Sequence, residues 1–249
     1  MKGVVLAGGT GSRLYPLTRV TNKHLLPVGR YPMIFHPLLR LRRAGVTEIG
    51  LVTSPEHMGD VVNLLGSGSR LGIDLTYRVQ DEPGGIAQAL GLCESFVGDE
   101  PFVVVLGDNV LGEDLTEEVA AFETQAASGG GARVLLKEVH DPERYGVPDF
   151  DGDRITRVIE KPSNPPSSFS VIGIYFYDAS VFDFIRTLSP SQRGELEISD
   201  VSNRYAGLGK LSHGILSSWW GDAGTFEGLE EANKLARDLV YEELPGVPD

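Results

Sequence analysis

The sequence predicts an α/β protein with a mixed, mainly parallel central sheet flanked by helices, and three observations carry that reading. Through the first half, short β-rich runs alternate with longer amphipathic segments, the pattern of a parallel sheet wrapped by helices. The first run passes directly into a glycine-rich turn, LAGGTGSRL (6–14). Beyond Asn109 a helix, a glycine break and hairpin-like strands follow, so the second half of the sheet is expected to be mixed.

Strands are expected at GVVLA (3–7), EIGLVT (48–53), LTYRVQ (75–80) and FVVVLG (102–107), apolar and β-branched runs of strand length. PMIFHPLLRLRRAG opens with Pro32 near a helix N-terminus and closes at Gly45, as helix start and stop chemistry requires. Pro37 weakens or kinks that helix near its start. Residues 56–65, 85–97 and 114–127 read as further helices, and the Gly129-Gly130-Gly131 break leads into a strand in ARVLLKEV. Two short strands occupy 146–160 about the turn triplet Asp151-Gly152-Asp153. VIGIYFYD (171–178) is a strand, and VFDFIRTL and TFEGLEEANKLARDL are helices by their 3.6-residue period. With no repeat, low-complexity segment or linker, 1–249 reads as a single domain, its last residues, 241–249, a frayed tail.

Composition narrows the class. A chain of 249 residues, 41% hydrophobic and 23% charged, buries a full core, which excludes disordered and fibrous proteins. Thirty-five acidic against 22 basic side chains give a formal charge of −13, which repels a nucleic-acid backbone. Arg40, Arg42 and Arg43 have helical spacing and read as a solvated helix face. The single Cys93 lies in an apolar helical stretch, a buried inert thiol without a disulfide partner. The N-terminus runs straight into a buried strand, and no apolar run is long enough to span a bilayer. A cytoplasmic protein with neither nucleic-acid nor membrane partners is expected.

In LAGGTGSRL, Gly8, Gly9 and Gly11 permit positive φ and close backbone approach, so successive N–H groups can converge on phosphate oxygens while Arg13 adds a guanidinium fork. The competing reading is a mere tight turn from strand to helix. Two familiar glycine loops do not match: Leu14 stands where a dinucleotide-binding GxGxxG needs its third glycine, and no acidic residue occurs in Gly29-Arg30-Tyr31. Nor does a Gly-Lys-Ser/Thr follow, as a P-loop requires. Asp108 in LGDN follows an all-apolar run and so falls at the carboxyl end of a buried strand, where open α/β sheets place their ligands.

The pairing GGTGSRL…NKHLLP (Lys23) resembles the N-terminal motif of the sugar nucleotidylyltransferases, and the likeness continues in order through QDEPGGIAQAL (80–90), LGDN, DPERYGV (141–147), IEKP (159–162) and WWGDAGT. Within that family it is most similar to glucose-1-phosphate thymidylyltransferases, especially short forms of bacterial, including spore-coat, polysaccharide synthesis. The resemblance implies a Rossmann-like nucleotidyltransferase fold, with 1–110 a nucleotide-binding half and 111–240 a sugar-binding half. It also implies a nucleotide-binding set of Leu6, Gly8, Gly9, Thr10, Gly11, Ser12, Arg13, Gln80, Gly85 and Asp108. Gln80 reads the pyrimidine edge, for which an amide offers both donor and acceptor. Arg13, Lys23 and Lys161 are the implied catalytic residues, and Asn109, Gly146, Glu160, Lys161 and Val171 the sugar-binding ones. Asp108 and Asp222 are the implied ligands of Mg²⁺, which accepts two hard oxygen ligands plus substrate phosphate and keeps much of its water. RGELEISD (193–200) also resembles a family motif, but no chemical role follows for Glu195 or Glu197. Ser12, His24, Ile172 and Ala223 depart from the family pattern, and Ile172 removes a hydroxyl beside the inferred hexose site.

The implied reaction joins a nucleoside triphosphate, dTTP, to glucose 1-phosphate or a related hexose 1-phosphate by direct in-line attack with release of pyrophosphate; no covalent catalyst is recognisable. Transfer from UTP is the nearest alternative. A catalytically inactive nucleotide-binding paralogue is another, but Arg13, Lys23 and both aspartates are present. Long-form thymidylyltransferases continue beyond the C-terminal helix with sequence that helps form subunit contacts and an effector site. This chain is expected still to form a homo-oligomer, through its globular body, but with weak or no feedback inhibition, since an effector site missing one wall cannot supply the differential affinity that allostery requires.

Overall fold

The computed structural model describes residues 1–241. The chain folds into two compact units. One comprises Lys2–Pro83, Val105–Glu117 and the chain from Ser218; the other comprises Met1, Gly84–Val104 and Glu118–Ser217. The units interleave along the chain.

The first unit is built on β1 (Lys2–Ala7), β4 (Glu48–Thr53) and β5 (Asp74–Val79), all parallel, with Gly3 opposite Ile49 and Glu48 opposite Asp74. Val4, Val5, Ile49, Leu51 and Val52 are fully buried. A parallel strand covered on both faces is apolar at every position, which is why GVVLA and EIGLVT read as continuous apolar runs. Helix α1 (Phe35–Arg43) carries Pro37 in its first turn, where no intrahelical N–H bond is lost. α2 spans Met58–Leu65 and α8 Phe226–Leu235. Two short ribbons complete the unit: β2 (Pro27–Val28) with β3 (Tyr31–Pro32), and β7 (Asn109–Leu111) with β13 (Trp220–Asp222).

Two expectations are corrected by the packing. Arg40 is not on a solvated face: it is buried, donating through Nη1 to Asp114 Oδ1 at 2.7 Å and through Nη2 to the Leu111 carbonyl at 2.7 Å. That leaves a charge paired at both ends instead of an exposed row. Tyr241, assigned to a frayed tail, is 2% exposed, and its ring packs against Tyr31 and His36 beneath the guanidinium of Arg43. Residues 242–249, the rest of that expected tail, lie outside the described residues.

The other unit holds the hairpin-like strands. β9 (Gly146–Asp151) and β10 (Arg154–Glu160) are antiparallel, β11 (Phe169–Tyr177) runs antiparallel to both β9 and β8 (Ala132–Glu138), and β12 (Leu211–Ile215) lies parallel to β8. Helices α6 (Val181–Arg186) and α7 (Ile198–Gly207) belong to it, and Phe182 stacks on Phe102 with ring centroids 5.6 Å apart. The single helix expected at 85–97 is two, α3 (Ile86–Gly91) and α4 (Glu94–Val97), broken about Cys93, which is fully buried. β6 (Phe102–Leu106) and α5 (Thr116–Ala127) lie across the divisions between units. The α/β class and its mixed sheet agree with the sequence reading. Among the described residues no helix is long and apolar enough to cross a membrane.

Candidate active site

The glycine loop leaves β1 at Ala7. Gly9 and Gly11 have φ of 91° and 62°, left-handed conformations that a side chain resists. Gly8 packs against a side chain instead: a Cβ there would meet Gln80 Oε1, the far end of that side chain, and displace it. The loop closes by Leu14 N–H and Thr18 Oγ1–H, each donating to the Gly11 carbonyl at 2.9 Å. It continues into a 3₁₀ turn, Ser12–Leu14, that buries Leu14 and leaves Thr10, Ser12 and Arg13 exposed. Leu6 is buried, and its carbonyl accepts from Gly107 N–H at 2.9 Å.

Lys23 opens a second 3₁₀ turn, Lys23–Leu25, capped by Asn22, whose Oδ1 accepts from His24 N–H at 2.9 Å and meets His24 Nδ1 at 2.7 Å. Burial, reinforced by the charge of Lys23, pushes His24 down to about 3, so the ring is neutral at physiological pH. Oδ1 of Asn22 carries no proton and therefore selects the Nδ1–H tautomer. The ring packs so closely on Gly107 that a Cβ there would lie 2.7 Å from His24 Cδ2, which accounts for the glycine of LGDN.

Asp108 follows β6, as a carboxylate at the end of a buried strand should. Burial raises its carboxyl, but Lys23 outweighs that, with Nζ 2.5 Å from Oδ2, and holds Asp108 below the usual carboxylate range. Asn109 Nδ2–H donates to Asp108 Oδ1 at 3.2 Å, and Trp220 Nε1–H donates to Asn109 Oδ1 at 2.6 Å. The β7–β13 ribbon brings in the second carboxylate, its register setting Asp222 directly opposite Asn109. Burial and then the charge of Asp108 raise the Asp222 carboxyl. Gly224 marks where these groups converge. A Cβ there would sit 2.9 Å from Asp222 Oδ1, 3.0 Å from Asp108 Oδ2 and 3.2 Å from Arg13 Nη2. Two carboxylate oxygens converging on one glycine suit a hard divalent ion that draws its other ligands from water and phosphate. Among the described residues no group of three or more His, Cys, Asp or Glu side chains forms a fuller cage.

In the other unit a cleft is lined by Gly146, Val158, Glu160, Val171, Tyr175, Ile198, Ser199 and Ser202. Gly146 is opposite both Glu160 and Val171, so three sequence-implied sugar residues meet through strand register alone. Ile172 is fully buried and lies outside that wall, because alternate residues of a strand face opposite ways. Its missing hydroxyl is therefore no loss to the cleft. Glu160 has its carboxyl raised by burial, opposed by Lys161 and supported by Glu197. Lys161 has φ of 45°, the one positive φ outside glycine among the described residues, and its N–H donates to the Tyr145 carbonyl at 2.9 Å.

The segment RGELEISD gains a role that sequence alone did not provide. Arg193 grips Glu197 with two bonds, Nη2 to Oε2 at 2.8 Å and Nε to Oε1 at 3.2 Å, and Nη2 lies 3.5 Å from Glu160 Oε1 and 3.2 Å from Glu195 Oε2. Ser199, from the same segment, hydrogen-bonds Glu160. Leu196 N–H donates to the Gly84 carbonyl at 2.8 Å, and a Cβ on Gly85, whose φ is 99°, would lie 2.6 Å from the Leu196 carbonyl oxygen. Gly85 is thus compelled by packing. Arg193, Tyr175, Ser199, Ser202 and Trp220 were not singled out from sequence. Only the acidic run around Arg193 offered a signal, and its charges pair locally.

A glycine loop at the end of the first strand, whose Arg13 converges with Asp108 and Asp222 about Gly224, is the arrangement of an α/β enzyme that handles phosphate esters. The chain belongs to the nucleotidyl transferase family, whose model matches residues 2–238. It is 45% identical over 236 residues to the glucose-1-phosphate thymidylyltransferase of Neisseria meningitidis serogroup A, a match covering 93% of this chain and 81% of that protein. Identity is 43% over 238 residues to the low-salt glycan biosynthesis nucleotidyltransferase of Haloferax volcanii, covering 94% of this chain and 66% of that one. A crystal structure from Bacillus anthracis, assigned as a glucose-1-phosphate thymidylyltransferase in complex with sucrose, superposes with a TM-score of 0.93 at 54% identity, covering 98% of each chain. A UDP-glucose pyrophosphorylase complexed with UDP-glucose, at 22% identity and a TM-score of 0.83, shares the fold.

Proposed function

We propose that the protein transfers a nucleotidyl group from dTTP to glucose 1-phosphate or a closely related hexose 1-phosphate, releasing pyrophosphate in a Mg²⁺-dependent in-line displacement. The observation that carries this reading is the convergence of Asp108 Oδ2, Asp222 Oδ1 and Arg13 Nη2 about Gly224, beside an open glycine loop. Relatives bearing the thymidylyltransferase name at 40–45% identity support the substrate pair.

In this reading Asp108 and Asp222 hold Mg²⁺, which when bound neutralises phosphate charge. The backbone of Gly8, Gly9, Thr10, Gly11 and Ser12 cradles the triphosphate, while Arg13 and Lys23 stabilise the departing pyrophosphate. Gln80 reads the imide edge of the base, and Gly85 lets backbone approach it. Asn109, Gly146, Glu160 and Val171 bind the hexose, with Arg193 and Ser199 fixing Glu160. Lys161 takes the sugar phosphate. No general base is needed, since a phosphate monoester is already anionic at neutral pH, with a second pKa of about 6.

The test is pyrophosphate release across four nucleoside triphosphates and several hexose 1-phosphates. The dTTP and glucose 1-phosphate pair is expected to give the highest kcat/KM. UTP should follow within about 1 to 3 kcal/mol, the worth of one methyl in an apolar pocket. A maximum with CTP or ATP would overturn the assignment of the base site.

A further inference from the structure

The ammonium of Lys23 sits where a metal's charge would be needed. Its Nζ lies 2.5 Å from Asp108 Oδ2, and that oxygen and Asp222 Oδ1 both come close to Gly224, where a Cβ would lie 3.0 and 2.9 Å from them. The other oxygen of Asp108 is engaged by Asn109. Both side chains of the ion pair are nearly enclosed, Lys23 at 13% and Asp108 at 10% exposure, so solvent and salt screen it little. The lysine backbone is fixed by the Asn22-capped turn, and its Cβ packs near Gly11. Only the flexible stem can move, and the glycine loop lies beside it.

We infer that Lys23 serves as an internal counter-cation on Asp108, excluding a divalent ion until a triphosphate in the glycine loop draws the ammonium away. This rests on reading Asp108 and Asp222 as metal ligands. One carboxylate oxygen in a nearly dry site cannot give its full charge to an ammonium and to a divalent ion together. A triphosphate offers the lysine several anionic oxygens in exchange, and the lysine's departure bares Oδ2. Metal loading is thereby coupled to nucleotide loading, and the coupling is reciprocal. The pairing also keeps Asp108 ionised and buried in the meantime, at no desolvation cost beyond that already incurred in folding.

Titration of Mn²⁺ into the metal-free protein without nucleotide, followed by electron paramagnetic resonance, tests the inference. Lys23→Met and Lys23→Gln are expected to bind Mn²⁺ at least about tenfold more tightly than the native chain. Adding Asp222→Asn to Lys23→Met should abolish that gain. Equal Mn²⁺ affinity in the native chain and both Lys23 variants, with Asp222→Asn still weakening binding, would overturn the counter-cation role and leave the metal site standing. Affinity indifferent to Asp108→Asn and Asp222→Asn in every background would instead remove the metal reading itself. A measurement on the native chain needs no variant: the ¹⁵Nζ resonance of Lys23 should stay put with Mg²⁺ alone and shift with metal-free dTTP. A shift with Mg²⁺ alone would also overturn it.

Discussion

At the scale of single residues, Lys161 shows how function and backbone strain meet. A left-handed backbone costs a non-glycine residue about 1 to 2 kcal/mol, so lysine at φ 45° is unfavourable for stability, and the proposed contact of its side chain with the sugar phosphate would account for it. Lys161→Gly is therefore expected to be more stable than Lys161→Ala by about 1 kcal/mol in urea denaturation, while both lose turnover. Equal stabilities would mean the backbone relaxes freely and no strain is stored. Asp108→Asn and Asp222→Asn should each lower kcat at least about a hundredfold with the fold retained, judged by circular dichroism alongside pyrophosphate release. Near-normal turnover in either would relocate the site. The glycines show what a motif conceals. The loop residues were legible in sequence, but Gly85 proves to be small because the Leu196 backbone presses against it, and Gly8 lies against the tip of Gln80. Such contacts join residues far apart along the chain, and no local pattern announces them.

Among elements, the β7–β13 ribbon governs the geometry of the carboxylates. Three residues a side are too few for any periodicity to register, so these strands escaped the sequence reading even though Asp222 lies on one of them and Asp108 directly precedes the other. Trp220 Nε1 holds Asn109, and Asn109 holds Asp108. Trp220→Phe leaves a buried amide oxygen without that donor, a cost of about 1 to 3 kcal/mol. It should weaken Mn²⁺ binding in the presence of dTTP, whereas unchanged Mn²⁺ affinity would show that the ribbon alone orients Asp108. Helix α1 carries a different consequence through His36, whose Nε2–H donates to the Val28 carbonyl at 3.0 Å and whose Nδ1 accepts from Tyr241 Oη–H at 2.9 Å. Burial pushes His36 down to about 4, against an ordinary 6.5, so the folded form holds fewer protons than the unfolded one across that interval. Stability is complete above 6.5 and falls as pH drops toward 4, by about 3 kcal/mol from this ring. His24, also held neutral by burial, adds to the same decline. Urea midpoints should consequently fall less steeply over this range in His36→Gln than in the native chain, and parallel curves would assign the acid sensitivity elsewhere.

For the molecule as a whole, the α/β class and most long elements were legible because their periodicities are local. EIGLVT at 48–53 is reproduced without a shift, and the hairpin about Asp151-Gly152-Asp153 lies where its turn chemistry put it. The partition into units was not legible, since it depends on which distant segments pack together. Residues 105–117 and the stretch from Ser218 rejoin the first unit after long absences, and no composition shift marks those crossings. Arg40 and Tyr241 were misread for the same reason, their partners Asp114 and His36 lying 74 and 205 positions away. A fragment ending at residue 110 is expected to show no cooperative urea transition, because it lacks β13, α8 and half of the apolar cluster that joins Val28, Met33 and Val110 to Ala223, Ala232 and Ala236. A sigmoidal transition from that fragment would refute this dependence. The interleaving also sets a schedule for birth of the protein on the ribosome. At about 5 to 20 residues per second, Asp222 emerges about 6 to 23 s after Asp108, with most of the other unit translated in between. A nascent chain therefore carries its glycine loop and first aspartate well before the second arrives, and on the proposed reading of those two aspartates turnover waits for the later one.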